Sequence, residues 1–242
     1  DVLQSRGLGD VYKRQVEGTT IADAEVKRIT RKTKLAHIRW TLEDGNEIII
    51  STTRPELICA CGVILVHPED NRYRDLIGRN VSLPINVEGR SDKVKILSHP
   101  SVKMDFGSGV LMVCSYGDQN DVSVFRELKL EPFQAIDLEG RMTEVAGPLE
   151  GMLVLDARLA ALDMLSADGR LEGLEEREQE IPVSERGENP IEIILLKEWY
   201  VKQVGIQDRL EQLTDQIRFI PERNKQLLLD WMENISICLL YT

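Results

Sequence analysis

Short β-rich segments separated by turn signals occupy residues 35–114 and constrain the fold more than any other feature of the sequence. Residues 35–41 alternate between polar and apolar side chains, residues 43–46 form a turn-type Glu-Asp-Gly-Asn run, and residues 47–52 are rich in β-branched side chains. This pattern predicts a β-hairpin. We predict further strands at residues 62–66, 80–83, 93–97 and 110–114. Such short, closely spaced strands favour a barrel-like or sandwich-like β core over an alternating βαβ fold.

Helical patterns are concentrated in the second half of the chain. Apolar residues recur at helical spacing in residues 152–165, and Ser166-Ala167-Asp168-Gly169 is typical of a helix end. A strand is predicted at residues 191–196, and further helices at residues 120–128, 209–217 and 221–234. The acidic residues 172–180 are expected to be exposed. The fold class is therefore α+β: a β-barrel-like domain with peripheral helices, followed by a C-terminal helical segment.

The ends of the chain differ from the rest. Residues 1–15 show neither helical nor strand periodicity, so we interpret them as a tail that is not native to the protein. Residues 16–200 are predicted to form the main domain, and residues 201–242 the helical segment. The last five residues, 238–242, break the preceding pattern and are equally suspect as native sequence.

Acidic residues outnumber basic ones, with 41 Asp and Glu against 30 Lys and Arg, which gives a formal net charge of −11. This balance argues against sequence-independent wrapping of nucleic acid, because such binding neutralises many phosphates. A local basic cluster is nevertheless present, formed by Lys27, Arg28, Arg31, Lys32 and Lys34. We interpret this cluster as either a solvated strand edge or a patch that contacts phosphate groups.

Cysteine usage and hydropathy point to a cytoplasmic protein. The four cysteines form no CxxC pair, so reduced thiols are expected rather than a disulfide framework or a metal site. The longest apolar run, residues 57–66, is shorter than the ~20 residues that span a membrane. Neither a membrane partner nor a signal peptide is expected.

Common catalytic motifs are missing from the sequence. The chain has no GxSxG nucleophile elbow and no glycine-rich phosphate-binding loop. Its three histidines, His37, His67 and His99, lack a partnered nucleophile pattern. Gly107-Ser108-Gly109 precedes an apolar strand, so it predicts a tight glycine turn and not a nucleophilic serine.

Two polar clusters lie in loops that leave predicted strands, where binding groups are usually placed. The first is Thr52-Thr53-Arg54-Pro55-Glu56, whose hydroxyls suit either a small ligand or simply a strand end. The second carries Asp118 and Asp121 at a predicted helix start. These two carboxylates could hold an ammonium group together, or they could serve only as helix caps.

These clusters resemble two motifs of the editing domain that is inserted in class I aminoacyl-tRNA synthetases for branched aliphatic amino acids. The resemblance covers about residues 16–237 and includes residues 67–78, 107–121, 190–202 and 221–234. Glu56 indicates the valyl branch, because the isoleucyl branch usually has tryptophan there and the leucyl branch aspartate. The main domain would then be an editing domain.

The resemblance implies hydrolysis of the ester that links threonine to the 3′ end of tRNA(Val). A hydrophobic synthetic pocket rejects threonine only weakly in favour of valine, so a second site must remove the error. The implied catalytic residues are Asp121, at the substrate α-amino group, with Asp118, Thr52 and Thr53. The implied substrate-binding residues are Arg54, Glu56, Met112, Cys114 and Asp121. Water would be the nucleophile.

Partners and cofactors follow from the same resemblance. The mischarged 3′ end of tRNA(Val) and the rest of the synthetase are the expected partners. Editing would need no cofactor, and ATP would serve only a catalytic domain whose His-Ile-Gly-His and Lys-Met-Ser-Lys-Ser signatures this chain lacks. No aminoacylation is expected from the chain.

Some positions depart from the wider family. Bacterial valyl enzymes usually carry lysine, threonine and histidine where this chain has Met112, Cys114 and Gly117, so the pocket resembles the archaeal branch. Ser184 and Gly187 stand where many relatives have half of a zinc knuckle, so no metal is expected there.

Three other interpretations remain open. The chain could be a non-catalytic fragment that binds the tRNA 3′ end, an editing domain of the related isoleucyl or leucyl enzymes, or a β-rich core without an active site.

Overall fold

A computed structural model of the chain describes residues 3–14, 20–21, 26–85, 87, 89–185, 190–201, 207–233 and 238–239. The chain divides into two compact units. One comprises Asp10–Ile194, and the other comprises Asp1–Gly9 with Leu195–Thr242. The candidate site residues all belong to the first of these units.

The first unit is built on a curled sheet. Its strands are β3 (Val26–Leu42), β4 (Glu47–Thr52), β5 (Cys61–Val66), β6 (Asn80–Ser82), β7 (Lys93–Ser98), β8 (Val110–Cys114) and β9 (Leu171–Ser184). The order is β4-β3-β6-β7-β5-β8, with β9 paired to β3. Because β4 also contacts β8, the sheet closes into a half-barrel. The predicted α+β class with a barrel-like core is confirmed.

The predicted hairpin is confirmed by the register of β3 and β4. Ala36 pairs with Thr52, and Trp40 pairs with Ile48. Gly45 adopts a φ of 83°, a left-handed conformation that glycine takes without strain. Trp40 and Ile50 are fully buried, so the apolar face of the hairpin forms part of the core and orients the end of β4, where the first polar cluster begins.

Strands β3 and β9 form a long antiparallel ribbon. They pair from Val26 with Ser184 to Ile38 with Leu171. The acidic segment 172–180 is mostly exposed, as predicted, but it is a strand that the sequence did not indicate, because glutamate is poorly represented in strands. The basic cluster also lies in a strand, and β9 covers one of its edges.

Helices and short 3₁₀ turns surround the sheet. The α-helices of the first unit are α1 (Gln119–Glu127) and α2 (Val154–Ala167), both predicted. The 3₁₀ turns are Pro55–Ala60, Arg74–Leu76 and Glu144–Leu149. Outside the sheet, β1 (Leu3–Arg14) pairs with β2 (Thr20–Ile21). Strand β1 was not predicted, because its sequence does not alternate.

The second unit contains the predicted C-terminal helices, α3 (Gln207–Thr214) and α4 (Asn224–Glu233). Strand β10 (Ile191–Val201) is longer than predicted and pairs with β11 (Cys238–Leu239). In the part of the chain that the structure describes, no helix is both long and apolar enough to cross a membrane. The predicted domain boundaries remain predictions.

Candidate functional site

The first polar cluster lies where β4 ends. The Oγ1 of Thr52 accepts a hydrogen bond of 3.0 Å from the backbone N–H of Arg54, and this turn stops the strand. Pro55 then begins the 3₁₀ turn, where its fixed φ suits a helical start. Thr52, Thr53 and Arg54 are half-buried. Both hydroxyl residues therefore stay partly accessible at the rim of the sheet.

The second cluster lies where β8 leads into α1. Asp118 caps the helix, since its Oδ1 accepts a hydrogen bond of 2.9 Å from the backbone N–H of Asp121. Asp121 itself turns back towards β8, where its Oδ2 accepts from the backbone N–H of Cys114 at 3.2 Å. The capping interpretation thus holds for Asp118, whereas the carboxylate of Asp121 lies beside the end of the strand.

Gly117 makes room for that carboxylate. A Cβ atom added at Gly117 would lie 2.2 Å from the Oδ2 of Asp121, much closer than two such atoms can approach. The absence of a side chain at residue 117 therefore leaves room for the Asp121 carboxylate in this position.

The electrostatic surroundings of Asp121 oppose its ionisation. Burial is the main cause that raises the pKa of Asp121 well above its usual range, and the negative charge of Asp118 raises it further. The hydrogen bond from Cys114 and the positive charge of Arg54 act in the opposite direction but do not outweigh these effects. A ligand cation beside Asp121 would relieve the unfavourable surroundings.

Arg54 connects the two clusters. Its Nη1 donates to the backbone carbonyl of Gly117 at 2.9 Å, its Nε donates to Glu56 at 3.1 Å, and its Nη2 donates to Glu192 at 2.6 Å. Burial alone would lower the pKa of Arg54, but the two carboxylates raise it overall, so the guanidinium stays charged. The loop that carries Asp118 and Asp121 is therefore held by a side chain of the first cluster.

Glu56 is the buried centre of an ion network. Its side chain is fully buried, and Arg158 of α2 binds both of its carboxylate oxygens, at 3.0 and 2.7 Å. The network contains two arginines and two glutamates, Arg54, Arg158, Glu56 and Glu192, so its formal charges balance. The predicted contact between Glu56 and substrate remains a prediction. In the structure, this carboxylate holds two guanidinium groups in place.

The two pocket residues from β8 are both buried. Met112 is 7% exposed and Cys114 is 2% exposed. Burial and the neighbouring Cys61 raise the pKa of the Cys114 thiol well above its usual range, and burial raises that of Cys59 to about 12. These cysteines are therefore protonated and unsuited to nucleophilic attack. The predicted role of Met112 and Cys114 in substrate binding remains a prediction.

His37 has partners that the sequence pattern did not reveal. Its Nδ1 lies 2.9 Å from the Oγ of Ser51, and its Nε2 lies 3.6 Å from Glu175. The Oγ of Ser51 also accepts a hydrogen bond of 3.2 Å from the backbone N–H of Ser108. Gly107 covers this hydroxyl so closely that an added Cβ would approach it to 2.9 Å. Ser51 is thus a buried link between the β4 loop and the glycine turn.

The predicted glycine turn is confirmed, since Gly107 and Gly109 have φ values of 56° and 78°. Among the described residues, no group of three or more His, Cys, Asp or Glu side chains could hold a metal ion. No metal was predicted at Ser184 and Gly187. Gly187 lies outside the described residues, so the absence of zinc there remains a prediction.

Comparison with known proteins identifies relatives of the whole segment. The chain is 40% identical over 220 residues to the valine–tRNA ligase of Nanoarchaeum equitans, covering 90% of this chain and 28% of that protein. It is 40% identical over 219 residues to the Methanocaldococcus jannaschii enzyme and 37% identical over 220 residues to the Aeropyrum pernix enzyme. Each match covers 90% of this chain, and 24% and 26% of those relatives, respectively. No family model matches the chain.

The chain spans about a quarter of the length of these relatives. The similarity extends over the curled sheet and both polar loops, and it is consistent with a segment of an aminoacyl-tRNA synthetase. Over 90% of its length the chain is similar to a part of these valine–tRNA ligases, and the three relatives named here are archaeal.

Proposed function

We propose that this chain carries an editing site that hydrolyses the ester bond of threonine mischarged on tRNA(Val). The observation that carries the proposal is the Arg54 side chain, which ties the Thr52–Thr53 loop to the carbonyl of Gly117, next to Asp118. Two loops 63 residues apart in sequence are thereby held as one polar site. The similarity to valine–tRNA ligases supports tRNA as the partner class and the rest of the synthetase as the missing body.

Asp121 is the anchor for the substrate in this proposal. The α-ammonium group of an aminoacyl ester would supply the positive charge that the surroundings of the Asp121 carboxylate lack. Asp118, which caps α1 beside it, adds to the negative potential. An ammonium group held there would be fixed relative to its own ester carbonyl, and such positioning lowers the barrier to attack.

Water is the proposed nucleophile. The buried thiols are protonated, and Ser51 is covered by Gly107, so neither group suits covalent attack. Thr52 and Thr53 would contact the aminoacyl or terminal ribose groups, and the vicinal ribose hydroxyl would help to orient the water. No side-chain base has to be added to this scheme.

Selectivity for threonine would come from its hydroxyl group. A site that hydrogen-bonds a substrate hydroxyl discriminates strongly against the analogue that lacks it, because the polar groups of the site are then left unpaired. Valine is such an analogue of threonine, so correctly charged tRNA would be spared.

The proposal is tested by measuring the release of amino acid from Thr-tRNA(Val), with Val-tRNA(Val) as the substrate control. We expect the chain to release threonine selectively and the Asp121→Ala variant to lose this activity. A folded chain that binds mischarged tRNA without releasing threonine would contradict the hydrolase and support a 3′-end-binding fragment. Release from a different mischarged tRNA would instead indicate another specificity within the family.

The Asp118→Asn substitution is expected to move the acidic limb of the pH–rate profile to lower pH. The pH dependence of kcat/KM reports groups of the free enzyme, and Asp121 must be ionised to hold an ammonium group. Removing the neighbouring negative charge lowers the pKa of Asp121, so ionisation begins at lower pH. Asparagine caps helices as well as aspartate does, so the loop should be preserved.

This prediction is checked by measuring deacylation across pH for the chain and for the variant. Asp137→Asn is the control, because Asp137 also accepts backbone hydrogen bonds in a turn, at 2.9 and 2.8 Å, but lies outside the site. An acidic limb that stays in place in Asp118→Asn would argue against ionised Asp121 as the anchor.

A further inference from the structure

The turn between β8 and α1 contains a residue in an unfavourable backbone conformation. Residues 114–117 form this turn, in which the backbone N–H of Gly117 donates to the carbonyl of Cys114 at 3.3 Å. Tyr116, the third residue of the turn, has a φ of 57°. A tyrosine adopts this left-handed conformation at an energetic cost, and glycine is the usual residue at such a turn position. Among the described residues, Lys129 is the only other residue except glycine with a positive φ.

The adjacent Gly117 does not adopt the left-handed conformation. It is needed where a side chain would collide with the carboxylate of Asp121. The chain therefore has its glycine beside Asp121 and a tyrosine in the strained position. A strained residue persists only where the surrounding structure holds it in place, and such residues cluster at functional sites. The contacts of Tyr116 must therefore hold the turn in this shape.

The side chain of Tyr116 packs against the start of β10. Tyr116 is half-buried, and it contacts a cluster formed by Val122 of α1 with Ile191 and Ile193 of β10. All three of these apolar side chains are buried. Rotation of Tyr116 into an ordinary backbone conformation would withdraw its side chain from this cluster, so the packing opposes relaxation of the turn.

The same stretch of β10 also holds Arg54. Glu192 lies between the two isoleucines, so its side chain points to the opposite face of the strand. It accepts a hydrogen bond of 2.6 Å from the Nη2 of Arg54, whose Nη1 donates to the carbonyl of Gly117 at 2.9 Å. Residues 191–193 therefore hold the turn at two consecutive residues, at Tyr116 through its side chain and at Gly117 through its carbonyl.

We propose that Tyr116 is a positioning residue of the candidate site, which sets the place of the Asp121 carboxylate through the strained turn. Packing against β10 holds Tyr116 in its left-handed conformation. This conformation directs the chain so that Asp121 can turn back to the backbone N–H of Cys114. Tyr116 touches no substrate in this role. The inference rests on the proposed function, because the reaction that Asp121 would serve is the hydrolysis of mischarged tRNA.

Deacylation of Thr-tRNA(Val) by the full chain and by its Tyr116→Gly variant tests the inference. Glycine accepts the left-handed conformation without strain but lacks the side chain that anchors the turn. We expect kcat to fall roughly 10²-fold, the scale that a displacement of about 1 Å can produce. KM for tRNA should change little, because uniform binding is not removed. Tyr116→Phe keeps the ring and should restore kcat. An unchanged kcat in Tyr116→Gly, or an equally slow Tyr116→Phe variant, would overturn the inference.

Two further variants make this test specific. Lys129→Gly is the matched control, because Lys129 has a φ of 53°, is exposed and follows α1 at the end remote from Asp121. Its kcat should equal that of the parent chain. Ile193→Ala leaves Tyr116 in place and removes part of the surface against which it packs, so kcat should fall less than in Tyr116→Gly. Since both substitutions remove the same contact, their combined effect should not exceed that of Tyr116→Gly alone. Additive losses would contradict the proposed route through β10.

Tm as a function of pH gives a second readout that needs no hydrolysis. Burial raises the pKa of Asp121, so the stability of the parent chain falls as pH rises through that window. If Tyr116→Gly lets water reach Asp121, this pKa returns towards its usual range, and the Tm difference between chain and variant narrows with increasing pH. The narrowing should disappear when both chains also carry Asp121→Asn, which excludes Asp118 and Arg54 as its source. Parallel Tm curves without that second substitution would show that Tyr116 supports only the fold.

The two readouts separate this inference from the proposed function. Tm curves that narrow, in a chain that releases no threonine, would refute the hydrolase alone. Selective deacylation with a kcat that Tyr116→Gly leaves unchanged would refute only the positioning role of Tyr116.

Discussion

Replacing Glu56 with glutamine is expected to destabilise the first unit by about 3–5 kcal/mol, the usual cost of removing one partner from a buried ion pair. Glu56 is fully buried and binds Arg54 and Arg158, so its neutralisation leaves excess positive charge in the interior. Thermal unfolding should detect the change, since each kcal/mol lowers Tm by roughly 2–4 °C in a chain of this size.

Two further variants make this prediction specific. Glu172→Gln is the control, because Glu172 pairs with Arg39 at an exposed position, where ion pairs contribute little. The double substitution Glu56→Leu with Arg158→Met should recover much of the loss, because apolar pairs can replace buried ion pairs at little cost. Equal Tm values for Glu56→Gln and Glu172→Gln would contradict the importance of the network.

Asp121→Asn is expected to stabilise the protein at neutral pH while reducing deacylation roughly 30-fold to several thousand-fold. This range of reduction in deacylation rate corresponds to ~2–5 kcal/mol, the cost of losing one partner of a desolvated charge pair. The stability gain follows from the pKa of Asp121, which is raised in the folded protein. The folded state then binds more protons than the unfolded state between the ordinary and the raised pKa, so stability falls as pH rises through that window.

Asparagine cannot ionise, so Asp121→Asn should remove this loss of folding stability at higher pH. The loss amounts to ~1.4 kcal/mol for each unit of pKa shift. The measurement is Tm as a function of pH for the chain, for Asp121→Asn and for Asp163→Asn, an exposed residue of α2 that serves as control. The difference should be largest above the raised pKa and vanish at acidic pH. A Tm that falls in Asp121→Asn at neutral pH would show that the carboxylate stabilises the fold.

Local sequence signals predicted much of the sheet but not its longest partner strand. Residues 35–41 alternate, residues 47–52 are rich in β-branched side chains, and a glycine turn lies between them, so their hairpin could be identified without tertiary information. Strand β9 could not be identified in this way, because its glutamates favour an exposed segment over a strand. Their place in a strand is explained only by their pairing with the lysines of β3. The pairing of residues nearly 150 positions apart has no local signature.

The candidate site shows the same limit. The loops that carry Thr52 and Asp118 were identifiable as polar segments after strands, and the resemblance to a synthetase family assigned their roles. Arg158 and Glu192 received no role, because each looks like an ordinary charged residue and meets its partner across 102 and 138 residues. Glu56 distinguished the valyl branch in the sequence, and the structure shows that its partner in α2 is Arg158.

The close approach of Gly117 to Asp121 carries a consequence for the divergence of such pockets. A histidine at residue 117 would displace the Asp121 carboxylate, because even its Cβ would lie 2.2 Å from the Oδ2 of Asp121. The two positions are therefore epistatic: the effect of a substitution at one depends on the backbone and side-chain placement at the other.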